Sequence, residues 1–254
     1  MLYLIGLGLK PSHLTIEGLE ALKACDRVYL ETYTSHYSTG KKADLEDLIG
    51  KAVTELKREE VEQEFQKIFD EAKTKKVALC VFGNPMNATT HLQIILDAHE
   101  QKIKTEIIPG LSIFEFVSFT GLERYKFGRT TSIVFHEQDY EPESFYDTIL
   151  ENKKAGLHTI CLLDIKKHEN KMMDVNHAIS LLERIEEKRE SSILSESIFV
   201  ALAGMGSGNG QIKAGMMEDI KKTKFSSYPQ TLIVCGKLNE KEIEGLRVLS
   251  EFNE

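Results

Sequence analysis

Short apolar runs alternate with amphipathic segments along the whole chain. The segment 61–76 places its apolar side chains at helical spacing on one face, at Val61, Phe65, Ile68, Phe69 and Ala72. A second amphipathic segment, at 172–190, also predicts a helix. Runs such as VALCVF are apolar at every position, which suits strands of a sheet covered by helices on both faces. The pattern predicts an α/β fold with strands at 2–8, 77–82, 105–110, 130–135, 159–165, 199–204 and 231–236.

Pro109-Gly110 is the turn signal nearest the middle of the chain, and we place the predicted domain boundary directly after it. Residues 1–110 are expected to form an N-terminal α/β domain with a mostly parallel sheet. Residues 111–254 hold more closely spaced runs and are expected to form a C-terminal α/β domain with a mixed sheet. A cleft between two such domains is a common place for a ligand.

Charge and cysteine usage restrict the function classes. The net charge is −8, which argues against nonspecific nucleic-acid binding because that binding depends on Lys and Arg at phosphates. The four cysteines are far apart and mostly lie in apolar runs, which indicates a reducing, cytoplasmic setting. No apolar stretch approaches the roughly 20 residues of a membrane span, and the start of the chain reads as a strand rather than a signal peptide.

Glycine follows three of the predicted strands, where free backbone N–H groups at a helix start could face a ligand. In the first segment, 6–11, Pro11 replaces the third glycine of a dinucleotide fingerprint, so a Rossmann cofactor is not expected. A plain turn with Thr15 as the helix N-cap remains an equal alternative there. The second segment, 83–91 (GNPMNATTH), combines a turn with small and hydroxyl residues and favours ligand binding. The third, 204–210, has four glycines and fits a ligand loop or a flexible loop about equally.

Common catalytic and metal motifs are absent from the sequence. It contains no GxxxxGK[ST], HExxH, paired CxxC or G-x-S-x-G pattern, and its eight histidines do not cluster at ligand spacing. His91 and His136 are expected to make structural hydrogen bonds. We therefore predict no metal site and no catalytic side chain.

Several stretches, taken together, resemble the diphthine synthase family, a branch of the tetrapyrrole-methylase class. They cover essentially the whole chain, and the most specific of them are ETYTS, ATTH, YKFG and the pair GLHT and LDIK. The matching ranges are 2–9, 15–35, 83–91, 107–113, 120–128, 156–166 and 229–246.

The resemblance implies two α/β domains with S-adenosyl-L-methionine in the cleft between them, and a homodimer. Carried over by position, the cofactor contacts are Leu9, Asn84, Asn87, Ser112, Ile113, Leu163, Met205 and Gln230. Several would act through backbone groups, so an apolar side chain is compatible with the role. Two positions depart from the family, which usually has aspartate where this chain has Asn84 and often histidine where it has Gln230.

The activity implied by the resemblance is methylation of the amino group of a 3-amino-3-carboxypropyl-histidine on elongation factor 2. Archaeal members are expected to stop at a trimethylammonium, and eukaryotic members to add a methyl ester. Two alternatives stay open: a related methyltransferase acting on a corrin or porphyrin precursor, and a noncatalytic cofactor-binding module.

Overall fold

The computed structural model describes residues 1–252, with the backbone alone for His168. The chain divides into two compact units, Met1–Ile113 and the residues from Phe114 onward. The sequence predicted a boundary after Gly110 and thus placed Ser112 and Ile113 in the second domain. In the structure both residues belong to the first unit. Ser112 is tied to that unit because Asn87 Nδ2 donates a hydrogen bond to its Oγ, at 3.0 Å.

The first unit is a parallel five-stranded sheet in the order β3-β2-β4-β1-β5. Its strands are β1 (Leu2–Gly6), β2 (Arg27–Glu31), β3 (Thr54–Leu56), β4 (Val77–Val81) and β5 (Thr105–Ile108). Its helices are α1 (Ile16–Ala24), α2 (Lys42–Ile49), α3 (Arg58–Glu62), α4 (Gln66–Ala72) and α5 (Leu92–Glu100).

Helices cover both faces of this sheet, because β1 and β4 alternate apolar side chains between two separate cores. Leu4 and Leu79 point to the core formed with α3, α4 and α5. Ile5 and Cys80 point to the core formed with α1 and α2. The chain therefore leaves β1 for one face of the sheet and leaves β4 for the other.

The second unit contains a mixed sheet in the order β11-β10-β12-β7-β6, in which β6 and β7 are parallel and the other pairs antiparallel. A short helix, α6 (Ile113–Phe116), begins with the last residue of the first unit. The sheet strands are β6 (Thr131–Ile133), β7 (Thr159–Leu163), β10 (Ile198–Ala203), β11 (Gln211–Met216) and β12 (Gln230–Val234). A separate hairpin is formed by β8 (Ile165–Lys166) and β9 (Lys171–Met172). The longer helices are α7 (Ser144–Lys154), α8 (Val175–Lys188), α9 (Met217–Lys222) and α10 (Glu240–Leu249).

The α/β fold, the parallel first sheet and the mixed second sheet confirm the predictions. Thr15 is the N-cap of α1, in line with one of the two alternatives for that segment, since its Oγ1 accepts a hydrogen bond from Gly18 N at 3.0 Å. The single helix predicted over 61–76 is wrong, because the chain leaves α3 at Glu62 and starts α4 at Gln66. The glycine segment 204–210 leads into a strand and not a helix, since β10 and β11 pair across it as a hairpin.

All four cysteines are free and buried. Burial raises the pKa of the Cys25 thiol to about 11 and that of Cys235 to about 12, and it also raises the pKa of Cys80 and Cys161. They act as small apolar side chains. Within residues 1–252 no helix is long and apolar enough to cross a membrane.

Candidate active site

The carboxyl edge of the first sheet has the geometry of a ligand site. β1 and β4 are neighbours, and their following segments depart to opposite faces, which leaves a crevice at such a switch point. Gly8 and Gly83 meet there in an isolated bridge, with Gly83 N donating to Gly8 O at 2.9 Å and Gly8 N donating to Gly83 O at 3.2 Å. The bridge fixes the two segments against each other at the strand ends.

Three glycines bring the ends of β1, β4 and β5 into backbone contact. A Cβ on Gly6 would lie 2.4 Å from Gly110 N and 2.6 Å from Gly83 O. A Cβ on Gly110 would lie 2.3 Å from Gly83 O. Real Cβ atoms do not approach backbone this closely, so Gly6 and Gly110 are required for the strand ends to meet.

The turn after β4 carries Asn84 and Asn87, two of the predicted cofactor contacts. Asn84 Oδ1 accepts a hydrogen bond from Met86 N at 3.0 Å, and Asn84 O accepts one from Asn87 N at 3.2 Å. Ala88 has a φ of 53°, in the left-handed region that an alanine adopts only under strain. Among the hydrogen bonds of residues 1–252, none uses Asn84 Nδ2 or Asn87 Oδ1. The turn therefore presents one amide donor and one amide acceptor that a ligand can use.

Leu9 follows β1 and is fixed by the segment after β2. Its carbonyl accepts hydrogen bonds from Ser38 N at 2.9 Å and from Ser38 Oγ at 2.8 Å. Its N–H donates to His13 Nδ1 at 3.3 Å, and burial together with Lys10 lowers the pKa of that histidine. Both backbone groups of Leu9 are thus engaged within the unit.

Glu31 and His91 form a buried pair behind the turn. Glu31 ends β2 and His91 directly precedes α5, and their side chains are 0% and 2% exposed. His91 Nε2 lies 3.2 Å from Glu31 Oε2, and His91 Nδ1 lies 3.0 Å from the Pro85 carbonyl. Burial alone would raise the pKa of Glu31, but the contacts from His91 and Thr34 outweigh it and lower that pKa. The structural hydrogen bond predicted for His91 is confirmed.

The other three predicted contacts, Leu163, Met205 and Gln230, lie at the same end of neighbouring strands in the second sheet. Gln230 at the start of β12 pairs with Ala203 at the end of β10, and the next residue, Thr231, pairs with Leu162 in β7. The register therefore brings Leu163 and Gln230 together, and Met205 follows two residues after Ala203. The predicted cofactor contacts therefore fall into two groups, each at the strand ends of one sheet.

The side chain of Gln230 is already used inside the second unit. It is buried, its Oε1 accepts a hydrogen bond from Val175 N at 2.9 Å, and its Nε2 donates to Ser227 O at 3.1 Å. The first of these bonds satisfies the buried N–H of Val175 in the first turn of α8, which has no partner within the helix. A ligand at this position would meet the backbone of Gln230 more readily than its amide.

His136, the second histidine singled out by sequence, makes a hydrogen-bond contact from Nε2 to Pro142 O at 3.1 Å. The structural role predicted for it is confirmed. Within the described residues no group of three or more His, Cys, Asp or Glu side chains could hold a metal ion.

A second buried histidine pair, His158 with Glu242, was not predicted. Both side chains are fully buried, and His158 Nε2 donates to Glu242 Oε1 at 2.8 Å. His158 Nδ1 accepts from Gly236 N at 3.0 Å, so this histidine is neutral, and burial lowers its pKa. Burial would raise the pKa of Glu242, but hydrogen bonds from Lys126 and His158 outweigh it and lower that pKa to about 2.

Comparison with known proteins assigns the chain to a family. The family model for tetrapyrrole (corrin/porphyrin) methylases matches residues 1–206. Diphthine synthase of Methanococcus maripaludis is 40% identical over 253 residues, covering 99% of each chain. Diphthine methyl ester synthase of Mus musculus is 39% identical over 272 residues, covering 98% of this chain and 96% of the mouse protein.

The fold comparison agrees with the sequence comparison. A crystal structure of diphthine synthase superposes with a TM-score of 0.91 and 32% identity, covering 99% of this chain and 96% of the other. The resemblance drawn from the sequence stretches is confirmed. The chain belongs to the tetrapyrrole (corrin/porphyrin) methylase family, and within it to the diphthine synthase group of methyltransferases.

Proposed function

We propose that this methyltransferase uses S-adenosyl-L-methionine to methylate the amino group of a 3-amino-3-carboxypropyl-histidine on elongation factor 2, in diphthamide biosynthesis. The observation that carries the proposal is similarity along the full length to diphthine synthases of archaea and mouse. Similarity of this extent favours the elongation-factor substrate over a corrin or porphyrin precursor.

The residues at the carboxyl edge of the first sheet fit such a cofactor. The turn after β4 offers an amide donor and an amide acceptor, at Asn84 and Asn87. Gly83 has a φ of 76°, and a Cβ there would point at Ser112 Cβ, 3.6 Å away, so its absence leaves room beside the turn. We propose that Ser112, Ile113 and the side chain of Leu9, whose backbone groups are engaged by Ser38 and His13, complete this part of the site.

We further propose that Leu163, Met205 and Gln230, at the edge of the second sheet, also bind the cofactor. Gln230 would contribute through its backbone, because its amide is engaged by Val175 and Ser227. Exchanging Asn87 or Met205 for alanine and titrating S-adenosylhomocysteine tests each unit separately. Unchanged affinity in either variant would remove that residue from the site.

The proposed mechanism assigns binding, orientation and exclusion of water to the chain's own residues. The cofactor, when bound, supplies an already activated methyl group. The accepting group is an amine beside a carboxylate, whose negative charge holds its pKa above the roughly 7.7 to 8.0 of a chain-terminal α-amino group. It is mostly protonated in water near pH 7, and transfer into a site without water favours its neutral form. Alignment of that amine and removal of water can account for much of the rate gain without a dedicated base. This is consistent with a proposed site that has no catalytic acid–base dyad.

The defining experiment uses labelled S-adenosyl-L-methionine and elongation factor 2 that carries the unmethylated side chain. Transfer to this protein, and none to elongation factor 2 lacking the modification, is the expected result. Equal transfer to both would contradict the proposed substrate. Transfer to a precorrin but not to elongation factor 2 would instead support the tetrapyrrole alternative.

The same labelled product distinguishes trimethylation from methyl-ester formation. Both kinds of enzyme name occur among relatives of nearly equal identity, diphthine synthase and diphthine methyl ester synthase. Mild alkali releases an ester methyl group as methanol and leaves N-methyl groups attached. We propose the trimethylammonium product, since the alignment with the archaeal relative spans 253 residues and 99% of each chain, against 272 aligned positions with the mouse protein.

We also propose that the enzyme is a homodimer, with one contact at the surface formed by α5 and edge strand β5. Leu92 and Leu96 lie one turn apart on α5 and are 55% and 49% exposed. Ile107 is 42% exposed and pairs with Leu4, whose side chain faces the core shared with α5. Exposed apolar side chains next to an unpaired strand edge are suited to covering by a second copy. Light scattering should give about twice the chain mass of 28.8 kDa.

The proposed location is the cytoplasm, where the translation factor is found. The buried free thiols are compatible with a reducing compartment. The net charge of −8 favours contact with elongation factor 2 through protein rather than through nucleic acid. Fractionation of cells that express the chain tests the location.

A further inference from the structure

The buried pair Glu31 and His91 connects two segments of the first unit. Thr34 N and Thr34 Oγ1 both donate to Glu31 Oε1, at 2.9 and 2.6 Å, so this carboxylate orders the segment after β2. His91 reaches back six residues to the carbonyl of Pro85, within the turn after β4. The pair therefore ties the ETYTS stretch to the turn that carries Asn84 and Asn87.

Hydrogen-bond geometry determines where the protons of this pair reside. His91 Nδ1 faces a carbonyl oxygen, which only accepts, so Nδ1 must carry a hydrogen. Glu31 Oε2 is buried and lacks a hydrogen bond of ordinary geometry among the described residues, and the group facing it is His91 Nε2. The two facing atoms, Nε2 and Oε2, lie 3.2 Å apart, so they need one hydrogen between them in addition to the one on Nδ1.

The second unit supplies an internal contrast. His158 faces an N–H at Nδ1, from Gly236, and therefore holds one ring hydrogen, donated from Nε2 to Glu242. Two buried histidine–glutamate pairs in one chain thus hold different numbers of protons. The difference arises because the other ring nitrogen faces a carbonyl in one case and an amide in the other.

We propose that Glu31 and His91 are positioning residues, which hold the turn after β4 in its cofactor-binding conformation through the buried hydrogen bond from His91 Nδ1 to the Pro85 carbonyl. The inference rests on the proposed function, in which this turn binds S-adenosyl-L-methionine. A buried ion pair adds little to stability, because the cost of desolvating the two groups offsets much of their attraction. Such a pair can nevertheless hold the segments that carry it in one conformation. The strained backbone of Ala88 in the same turn needs such a restraint.

Two substitutions of His91 separate the restraint from simple stability. His91→Gln places an amide donor near the former Nε2, facing Glu31, and removes the donor to Pro85. We expect its dissociation constant for S-adenosylhomocysteine to rise about tenfold, as for a change that leaves the buried Pro85 carbonyl without its donor, with a small change in the urea midpoint. His91→Asn places a donor near the former Nδ1 and leaves the buried Glu31 Oε2 without a facing donor. Its urea midpoint should fall, while its dissociation constant stays within about threefold of wild type.

The matched control is His158→Gln, which disturbs the buried pair of the second unit and should lower stability without a comparable loss of ligand affinity. Affinity that follows stability across the variants, or an unchanged affinity in His91→Gln, would overturn the positioning role. Wild-type protein that binds no S-adenosylhomocysteine would contradict the proposed function and this inference with it.

Nitrogen-15 NMR of the wild-type protein tests the proton assignment without any dependence on variant folding. His91 should show a hydrogen on Nδ1, and His158 should show none there because its Nδ1 accepts from Gly236 N. A His91 Nδ1 without a hydrogen would overturn the hydrogen bond to Pro85.

Discussion

Glu242 should make the stability of the second unit depend on pH. Its carboxylate is fully buried and accepts hydrogen bonds from four donors, namely Glu123 N, Asn239 N, Lys126 Nζ and His158 Nε2. These contacts lower its pKa from 4.5 to about 2. A pKa below the unfolded value stabilises the fold fully above pH 4.5, and the stabilisation is lost as the pH falls toward 2.

The size of the effect follows from the shift. A difference of about 2.5 pKa units corresponds to about 3 kcal/mol at neutral pH, of which roughly 2 kcal/mol is lost by pH 3. His158 acts in the same direction, because its lowered pKa means that stability declines once the pH falls below its ordinary value of 6.5. Acid should therefore weaken this cluster in two successive steps.

The test is the variant Glu242→Gln, followed by urea unfolding between pH 7 and pH 3. The chain has no tryptophan, so circular dichroism or tyrosine fluorescence is the probe. The variant should be about 3 kcal/mol less stable at pH 7, because an amide N–H would face the donors from Asn239 and Lys126. The difference from wild type should shrink to about 1 kcal/mol at pH 3.

A matched control is Glu151→Gln, which removes an exposed ion pair with Arg129. Its stability should change by less than about 1 kcal/mol at any pH. A difference between wild type and Glu242→Gln that stays constant from pH 7 to pH 3 would refute the assigned protonation of Glu242.

Three further predictions concern the candidate site and the proposed dimer. Asn84→Asp should bind S-adenosyl-L-methionine about tenfold more tightly in a direct titration, because a carboxylate keeps the acceptor for Met86 N and the attraction of its charge for the cationic ligand outweighs loss of the Nδ2 donor; equal or weaker binding would show that the side chain faces the ligand as a donor and not its positive charge. Gly110→Ala should lower the melting temperature far more than Gly83→Ala, since its Cβ would lie 2.3 Å from a backbone oxygen, whereas Gly83→Ala adds an ordinary 3.6 Å contact and about 1 to 2 kcal/mol of backbone strain; equal losses would disprove the close packing. Leu96→Glu should give a monomer by light scattering, and a dimer that persists would place the interface elsewhere.

The hydrophobic pattern predicted the strands that are apolar on both faces. VALCVF became β4 and the first apolar run became β1, both fully buried at the centre of the first sheet. The pattern missed β2, although its residues are also buried apart from Arg27. Its apolar run is only three residues long, Val28 to Leu30, and lies between Arg27 and Glu31. The pattern therefore did not predict that Glu31 ends a strand beside the site.

Long-range pairing limited the site prediction. Glu242, the partner of His158, is 84 residues away along the chain, and Glu31, the partner of His91, is 60 residues away at the end of β2. Spacing along the sequence therefore predicts neither contact. The glycine segment 204–210 was expected to precede a helix because the other two glycine segments do. The strand that follows it, QIKAGM, has mixed polarity because its first three residues are half-exposed at the sheet's edge.

The backbone contact among Gly6, Gly83 and Gly110 fixes the positions of the strand ends independently of the side chains that would contact a ligand. Because backbone meets backbone at these points, the spacing of the three strand ends does not depend on which side chains occupy the neighbouring positions. Substitutions at those neighbours, Asn84 among them, can change what the edge recognises while the strand ends keep their places. A fold built this way can diversify what it recognises by point mutation, whereas Gly6 and Gly110 have no room for any side chain.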